Sequence, residues 1–227
     1  MTITILGLGP GDPGYITRAA WEQLETARTV YLRTAVHPTV AALPAHLTIH
    51  AFDELYDHAD RFERVYDQIA EQLVERAQHE GDLVYAVPGD PSVAEATTRR
   101  IRTLARQQGV AVRVLAGVSF IEPVCAALEL DPLEHGLQLL DALDLVPHAV
   151  ADPDLDSWAT LHGYAYEPAL APFPLHATRP ALICQVYSRQ VASHVKLSLL
   201  ERFPAHHPVT IVRAAGVAGD EQVWTVA

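Results

Sequence analysis

Apolar residues in the first 130 positions come in short blocks, separated by longer stretches in which they recur every three or four residues. Ile3, Ile5, Leu6 and Leu8 form the first block and predict a buried strand, broken by Gly7, Gly9 and Gly11. Thr17 is placed to cap a helix carrying Ala19, Ala20, Leu24 and Ala27 at helical spacing. Val30–Leu32 and Leu47–His50 predict two further strands, with a short helix over His37–Leu43 between them. The polar, acidic run 53–59 predicts a loop. Phe62, Val65, Tyr66, Ile69, Leu73 and Ala77 predict a helix over Phe62–Glu80, stopped by Gly81. Leu83–Val87 predicts a strand, Val93–Gln108 a helix closed by Gly109, Val110–Leu115 a strand, and Phe120–Leu128 an apolar helix. Strand and helix thus alternate, which argues for a parallel sheet with helices on its faces.

The pattern then changes. Gln138–Val146 is apolar with Asp141 and Asp144 interspersed, and 147–180 carries six of the sixteen prolines, so it predicts loop-rich structure. Ala181–Tyr187 predicts a strand, His194–Phe203 a helix, and Val209–Val212 and Gln222–Val226 two strands. The expected fold class is α/β: an N-terminal, mostly parallel lobe over 1–117 and a C-terminal α+β mixed-sheet lobe over 118–227, with a cofactor cleft between them. Within the proline-rich stretch, Trp158, Tyr164 and Tyr166 read first as packing residues and second as an acceptor lid.

Charge narrows the partners. The formal net charge of −12 disfavours a phosphate backbone as ligand, and Arg99, Arg100, Arg102 and Arg106 read as the solvated face of one helix. Cys125 and Cys184 lie in apolar runs without a CxxC, and no signal core or apolar run of membrane-spanning length is present, so a cytoplasmic protein with free thiols is expected. The twelve histidines show no metal-ligand spacing; His206 and His207 read as a surface loop, His46, His50 and His58 receive no role, and no metal is expected.

Three loops follow predicted strands. The first is Gly7-Leu-Gly-Pro-Gly-Asp-Pro-Gly14. Its glycines permit close backbone approach, and its free amides are suited to an anion, although a tight strand-to-helix turn explains it equally. It lacks the Lys-Ser/Thr of a phosphate-binding P-loop and the third glycine of a dinucleotide fingerprint. The second is Pro88-Gly-Asp-Pro-Ser-Val93, where Asp90 either accepts hydrogen bonds from a ligand or caps the next helix, a task open also to Ser92. The third is Ala116-Gly-Val-Ser-Phe-Ile-Glu122, with Ser119 and Glu122 at capping-box spacing.

In their order and spacing, these three loops resemble the tetrapyrrole (corrin/porphyrin) methylases, a family that includes diphthine synthase, over essentially the whole chain. Tyr85-Ala-Val-Pro-Gly, Gly136-Leu-Gln-Leu-Leu-Asp-Ala and Gln185-Val-Tyr-Ser-Arg followed by Val195-Lys-Leu resemble the YabN-like methylase domain fused to MazG-type nucleotide pyrophosphohydrolases. The resemblance implies a homodimer that holds S-adenosylmethionine (SAM) between two lobes, with a MazG-type domain as a partner. The implied cofactor contacts are Pro10, Asp90, Val93, Ser119, Phe120, Val186, Ala215 and Gly216, and Asp12 is assigned to the acceptor side as the catalytic candidate. Substitution of Asp90 is expected to weaken SAM binding and leave the fold intact.

The segment Leu128-Glu-Leu-Asp-Pro-Leu-Glu-His-Gly136 lacks the basic and hydroxyl groups that corrin and porphyrin methylases carry soon after the third loop. A tetrapyrrole bears several carboxylates and needs Arg or Lys partners, so the resemblance supports the cofactor and leaves the small-molecule acceptor open. Two readings follow: a SAM-dependent methyltransferase, or a non-catalytic SAM- or nucleotide-binding module that regulates a pyrophosphohydrolase. A dinucleotide-dependent dehydrogenase is disfavoured by the missing glycine.

Overall fold

A computed structural model of the chain describes residues 1–57, 62–145 and 175–226. Five parallel strands form the main sheet: β1 (Thr2–Gly7), β2 (Thr29–Leu32), β3 (Thr48–Ala51), β4 (Leu83–Val87) and β5 (Ala111–Leu115), in the order β3-β2-β4-β1-β5. The helices are α1 (Arg18–Thr26), α2 (Asp53–Asp57), α3 (Phe62–Glu80), α4 (Ala96–Gln107) and α5 (Ile121–Ala127). Period-two alternation sends Ile3, Ile5, Leu83, Tyr85 and Val87 to one face, where they pack on Val65, Ile69, Leu73, Ile101 and Ala105 of α3 and α4. Leu6, Leu8, Val84 and Ala86 go to the other face, against Ala20 and Leu24 of α1.

This arrangement positions the site. β1 and β4 are neighbours, yet the chain leaves β1 toward the α1 face and β4 toward the α4 face. Such a switch point at the carboxyl edge of a parallel sheet is where ligands bind in open α/β folds.

The rest of the described chain forms β6 (Gln138–Asp141) paired in parallel with β7 (Ala181–Cys184), helix α6 (Arg189–Leu200), and β8 (Val209–Arg213) paired with β9 (Gln222–Val226). Ala142, Leu145, Val191 and Val195 form a small core there, tied by a hydrogen bond from the Ser198 hydroxyl to the Leu145 carbonyl. The chain packs as two units, Met1–Glu129 with Val212–Trp224, and the described residues of Leu130–Ile211 with Thr225–Ala227.

Several elements differ from their sequence expectation, each for a local reason. The run expected as a loop from Asp53 holds α2, because Asp53 and Glu54 suit a helix N-terminus and Leu55 and Tyr56 pack on the core. The helix expected over His37–Leu43 is a single 3₁₀ turn, Pro38–Ala42, after which Leu43 returns to extended backbone. α4 begins at Ala96, three residues late, because Ala94 takes a left-handed φ of 52° and Glu95 caps the helix. β7 ends at Cys184, where Gln185 turns left-handed at φ 63°, and α6 starts five residues early, capped by Ser188. Residues 146–174 include most of the proline-rich stretch and the proposed lid residues Trp158, Tyr164 and Tyr166, which lie outside the described residues.

Candidate functional site

The three loops singled out in the sequence meet at the switch point. Gly9 and Gly89 form an antiparallel bridge: the Gly89 N–H donates to the Gly9 carbonyl at 2.8 Å, and the Gly9 N–H to the Gly89 carbonyl at 3.3 Å. Gly7 and Gly117 close the junction. A Cβ on Gly7 would stand 2.2 Å from the Gly89 carbonyl oxygen and 3.0 Å from the Gly117 Cα, and one on Gly117 would stand 2.5 Å from that same oxygen. The glycines are therefore required first by the contact of one loop with another.

Asp90 is the staple. Its Oδ2 accepts the Gly117 N–H at 2.7 Å, joining the second loop to the third, and its Oδ1 accepts the Ser92 N–H at 2.7 Å. Helix α4 is capped by Glu95 instead, whose carboxylate accepts the Thr97 N–H at 2.9 Å. Neither of the two cap candidates, Asp90 and Ser92, serves as one, because the left-handed Ala94 moves the helix start beyond them. The Val93 N–H donates to the Asp90 carbonyl at 3.1 Å, which tightens the same turn.

Asp12 plays a matching local part. Its Oδ1 accepts the Gly14 N–H at 2.7 Å and opens the 3₁₀ turn Pro13–Tyr15. Pro10 is half-buried beside it. Thr17 caps α1 and also donates to the Ala116 carbonyl at 3.1 Å, linking the first loop to the third. In the third loop the capping-box expectation holds. Both the Ser119 N–H and hydroxyl donate to Glu122, at 3.0 and 2.7 Å, and the hydroxyl accepts the Ile121 N–H. Ser119 is buried and Phe120 half-buried.

A fourth segment joins them. Ala215 is buried, and Gly216, at φ 76°, lies so close to the Tyr15 ring that a Cβ would approach it to 2.8 Å. Its N–H donates to Glu221 at 2.7 Å. Val217 reaches Gly11, so the segment packs directly on the first loop. Val186 is 46% exposed, two residues beyond β7 in the second unit. Asp141, in that unit too, accepts the Leu143 N–H, and burial raises its pKa.

The chemistry of this junction is selective. The amides of Gly9, Gly14, Gly89 and Gly117 all go to protein acceptors, so much of the anion cradle expected of the first loop is occupied by the fold itself. The three loops carry Asp12, Asp90 and Glu122 and no Lys or Arg. A junction with three carboxylates and no cation suits a cationic ligand and opposes a phosphate. Among the described residues no group of His, Cys, Asp and Glu side chains is arranged to hold a metal ion, and no helix is long and apolar enough to cross a membrane.

His37 belongs to this neighbourhood, although nothing in its spacing marks it. The Thr39 hydroxyl donates to the Leu8 carbonyl at 3.3 Å and Pro38 lies under Gly11, which sets residues 37–39 along the first loop. Burial lowers the His37 pKa below its ordinary 6.5, partly offset by the Gly9 carbonyl, and its Nδ1 is buried without a hydrogen-bond partner. The sign of the linkage follows. As pH falls through the ordinary histidine range, the unfolded chain takes a proton at His37 that the folded chain resists, so stability is lost. Thermal unfolding at pH 7.5 and pH 5 should show a larger drop for wild type than for His37→Gln; equal drops would refute the assignment.

A family model, Tetrapyrrole (Corrin/Porphyrin) Methylases, matches residues 2–227. The protein YabN of Bacillus subtilis is 37% identical over 220 residues, covering 96% of this chain and 40% of YabN. Diphthine synthase of Pyrobaculum aerophilum is 36% identical over 139 residues, 58% of this chain and 48% of that protein. The chain thus spans less than half the length of either relative. Among solved structures, the methyltransferase CobJ superposes with a TM-score of 0.65 at 21% identity, covering 99% of this chain and 85% of CobJ. Uroporphyrin-III C-methyltransferase from Thermus thermophilus, complexed with S-adenosylhomocysteine, gives 0.63 at 20% identity, covering 100% and 88%. The loop junction at the sheet switch point, the match along the whole chain and the shared fold agree, and the chain belongs to the tetrapyrrole (corrin/porphyrin) methylase family.

Proposed function

We propose that the chain is a SAM-dependent methyltransferase acting on a small-molecule acceptor. The observation that carries this reading is the junction of three loops at the β1–β4 switch point, which carries three carboxylates and no Lys or Arg. SAM is a nucleoside with a sulfonium cation and fits that chemistry, whereas a nucleotide would bring its phosphates to carboxylates with no cation beside them. The Thermus thermophilus neighbour, complexed with S-adenosylhomocysteine, supports the same cofactor.

In this reading Pro10, Val93 and Phe120 supply apolar contact, Asp90 and Ser119 hold their loops in register, and Ala215 and Gly216 close the adenine side. Val186 is carried over as a further cofactor contact from the family resemblance. Bound SAM supplies an electrophilic methyl group, so the protein's task is chiefly to position the acceptor in line with it. Asp12 is assigned to that side, its remaining carboxylate oxygen available to orient the acceptor. A homodimer, a cytoplasmic location and a MazG-type pyrophosphohydrolase partner complete the proposal.

A second reading, a non-catalytic SAM-binding regulatory module, is favoured by the composition of Leu128–Gly136, which lacks basic and hydroxyl side chains except His135. Calorimetric titration with S-adenosylhomocysteine tests what both readings share. One site per chain of micromolar or tighter affinity is expected, and absence of binding at millimolar ligand refutes both. Methyl transfer from labelled SAM to a metabolite panel then separates them.

A further inference from the structure

On the far side of the second loop lies a charged cluster that the cofactor assignment leaves unused. Arg33 follows β2 directly, and its backbone N–H donates to the Ala86 carbonyl of β4, two residues before Pro88. Its Nη1 donates to Glu95 at 2.7 Å and its Nε to the Tyr56 hydroxyl at 3.1 Å, while the guanidinium carbon stands 5.5 Å from the centre of the Tyr66 ring. Arg100 stands 5.4 Å from the same ring and pairs with Asp67 at 2.6 Å.

Glu95 is held on its other side by the N–H and hydroxyl of Thr97, and Thr97 by the buried Tyr85 hydroxyl. Its side chain is 1% exposed, against 25% for Arg33. The carboxylate is therefore sealed in, whereas a quarter of the Arg33 side chain stays open to solvent.

Stability alone is a poor explanation for this arrangement. Burying an ion pair costs desolvation that its attraction barely offsets, and apolar residues of similar volume commonly serve as well. Glutamate is also outside the group of residues preferred as helix caps, Ser, Thr, Asp and Asn. What the cluster does provide is orientation. Two hydrogen bonds and an aromatic face fix the plane of Arg33, and neither bond involves Nη2. A fixed guanidinium with donors to spare is suited to two-pronged recognition of a carboxylate or phosphate. It stands at the carboxyl end of β2, on the sheet edge that also carries the glycine loops, whose own charges are all negative.

We propose that Arg33, oriented by Glu95, Tyr56 and Tyr66, is a binding site for an oxyanion group of the methyl acceptor, a carboxylate or a phosphate. This assigns to the acceptor an anionic end at Arg33 and a nucleophilic end toward the loop junction. It rests on the proposed function for the word acceptor; anion binding at Arg33 stands independently of it.

The test is NMR titration of the protein, labelled with ¹⁵N at arginine, with inorganic phosphate and, separately, succinate. Each is run at low ionic strength, with and without S-adenosylhomocysteine. Saturable displacement of the Arg33 side-chain resonances by either anion is expected, and which anion acts identifies the group. Arg33→Gln should weaken that binding at least about tenfold and leave S-adenosylhomocysteine affinity within about twofold. Arg33→Lys, which keeps the charge and loses the fork, should fall between them and serves if Arg33→Gln fails to fold. Displacement that is linear with concentration, absent with both anions, or unchanged in the variants overturns the proposal. Saturable anion binding without S-adenosylhomocysteine binding leaves this proposal standing and removes the methyltransferase reading.

Discussion

Gly7→Ala is expected to destabilise the protein by about 3 kcal/mol, at the upper end of the range for overpacking a close-packed core. For a chain of this size that is a fall of roughly 6–12 °C in Tm. The new methyl group would stand 2.2 Å from the Gly89 carbonyl oxygen, 3.0 Å from the Gly117 Cα and 3.0 Å from Pro91. Two of these neighbours are backbone held by hydrogen bonds, so no side-chain rotation relieves the clash. The loops must separate, and S-adenosylhomocysteine binding should be lost with them. Gly89→Ala provides the contrast. Gly89 has a left-handed φ of 67°, and a Cβ there meets no atom within 4 Å. Its cost is the conformational one alone, about 1–2 kcal/mol. Thermal unfolding of both variants checks the ordering; a Gly7→Ala protein as stable as Gly89→Ala would mean that the loops do not meet as described.

Asp90→Ala should be the most informative substitution for the site. It removes the acceptor of both the Gly117 and the Ser92 N–H groups. Hydrogen bonds to a charged group contribute about 1.5–3 kcal/mol each, with partial compensation by water at these half-buried positions. We expect a net loss of about 2 kcal/mol and a fall in S-adenosylhomocysteine affinity of at least about tenfold, because the second and third loops lose their mutual register. Asp90→Asn should lie between, since an amide accepts through its oxygen and repels one of the two N–H groups through its nitrogen. Wild-type affinity in a folded Asp90→Ala protein would remove Asp90 from the site. An unchanged Tm would remove the staple. The fold is expected to survive this substitution at a cost in stability, because the carboxylate is engaged within the protein.

The elements that could be read from the chain are those governed by local pattern. α3 spans Phe62–Glu80 as its apolar spacing predicts, and β1, β2, β4 and β5 fall within a residue or two of their apolar blocks. Thr17 caps α1 and Ser119 pairs with Glu122, because caps depend on residues three apart. Where a boundary depends on one backbone angle, the pattern misleads: a left-handed Ala94 delays α4 and a left-handed Gln185 ends β7, and neither residue type announces it.

By itself the sequence determined the alternating strand–helix pattern, the three glycine loops at strand ends and the family they signify, since these are properties of neighbours along the chain. Only the tertiary structure decided what the loops do for one another. The order β3-β2-β4-β1-β5 places the turn after β1 beside the turn after β4, 80 residues away, and only then do the Gly9, Gly89 and Gly117 amides find their acceptors in protein. The same order brings Arg33 to Glu95 and sets His37 along the first loop, pairings that spacing does not encode. Hydrogen-bond partners are allocated in space, and whether an Asp90 or a glycine amide is free for a ligand depends on which groups the fold has already claimed.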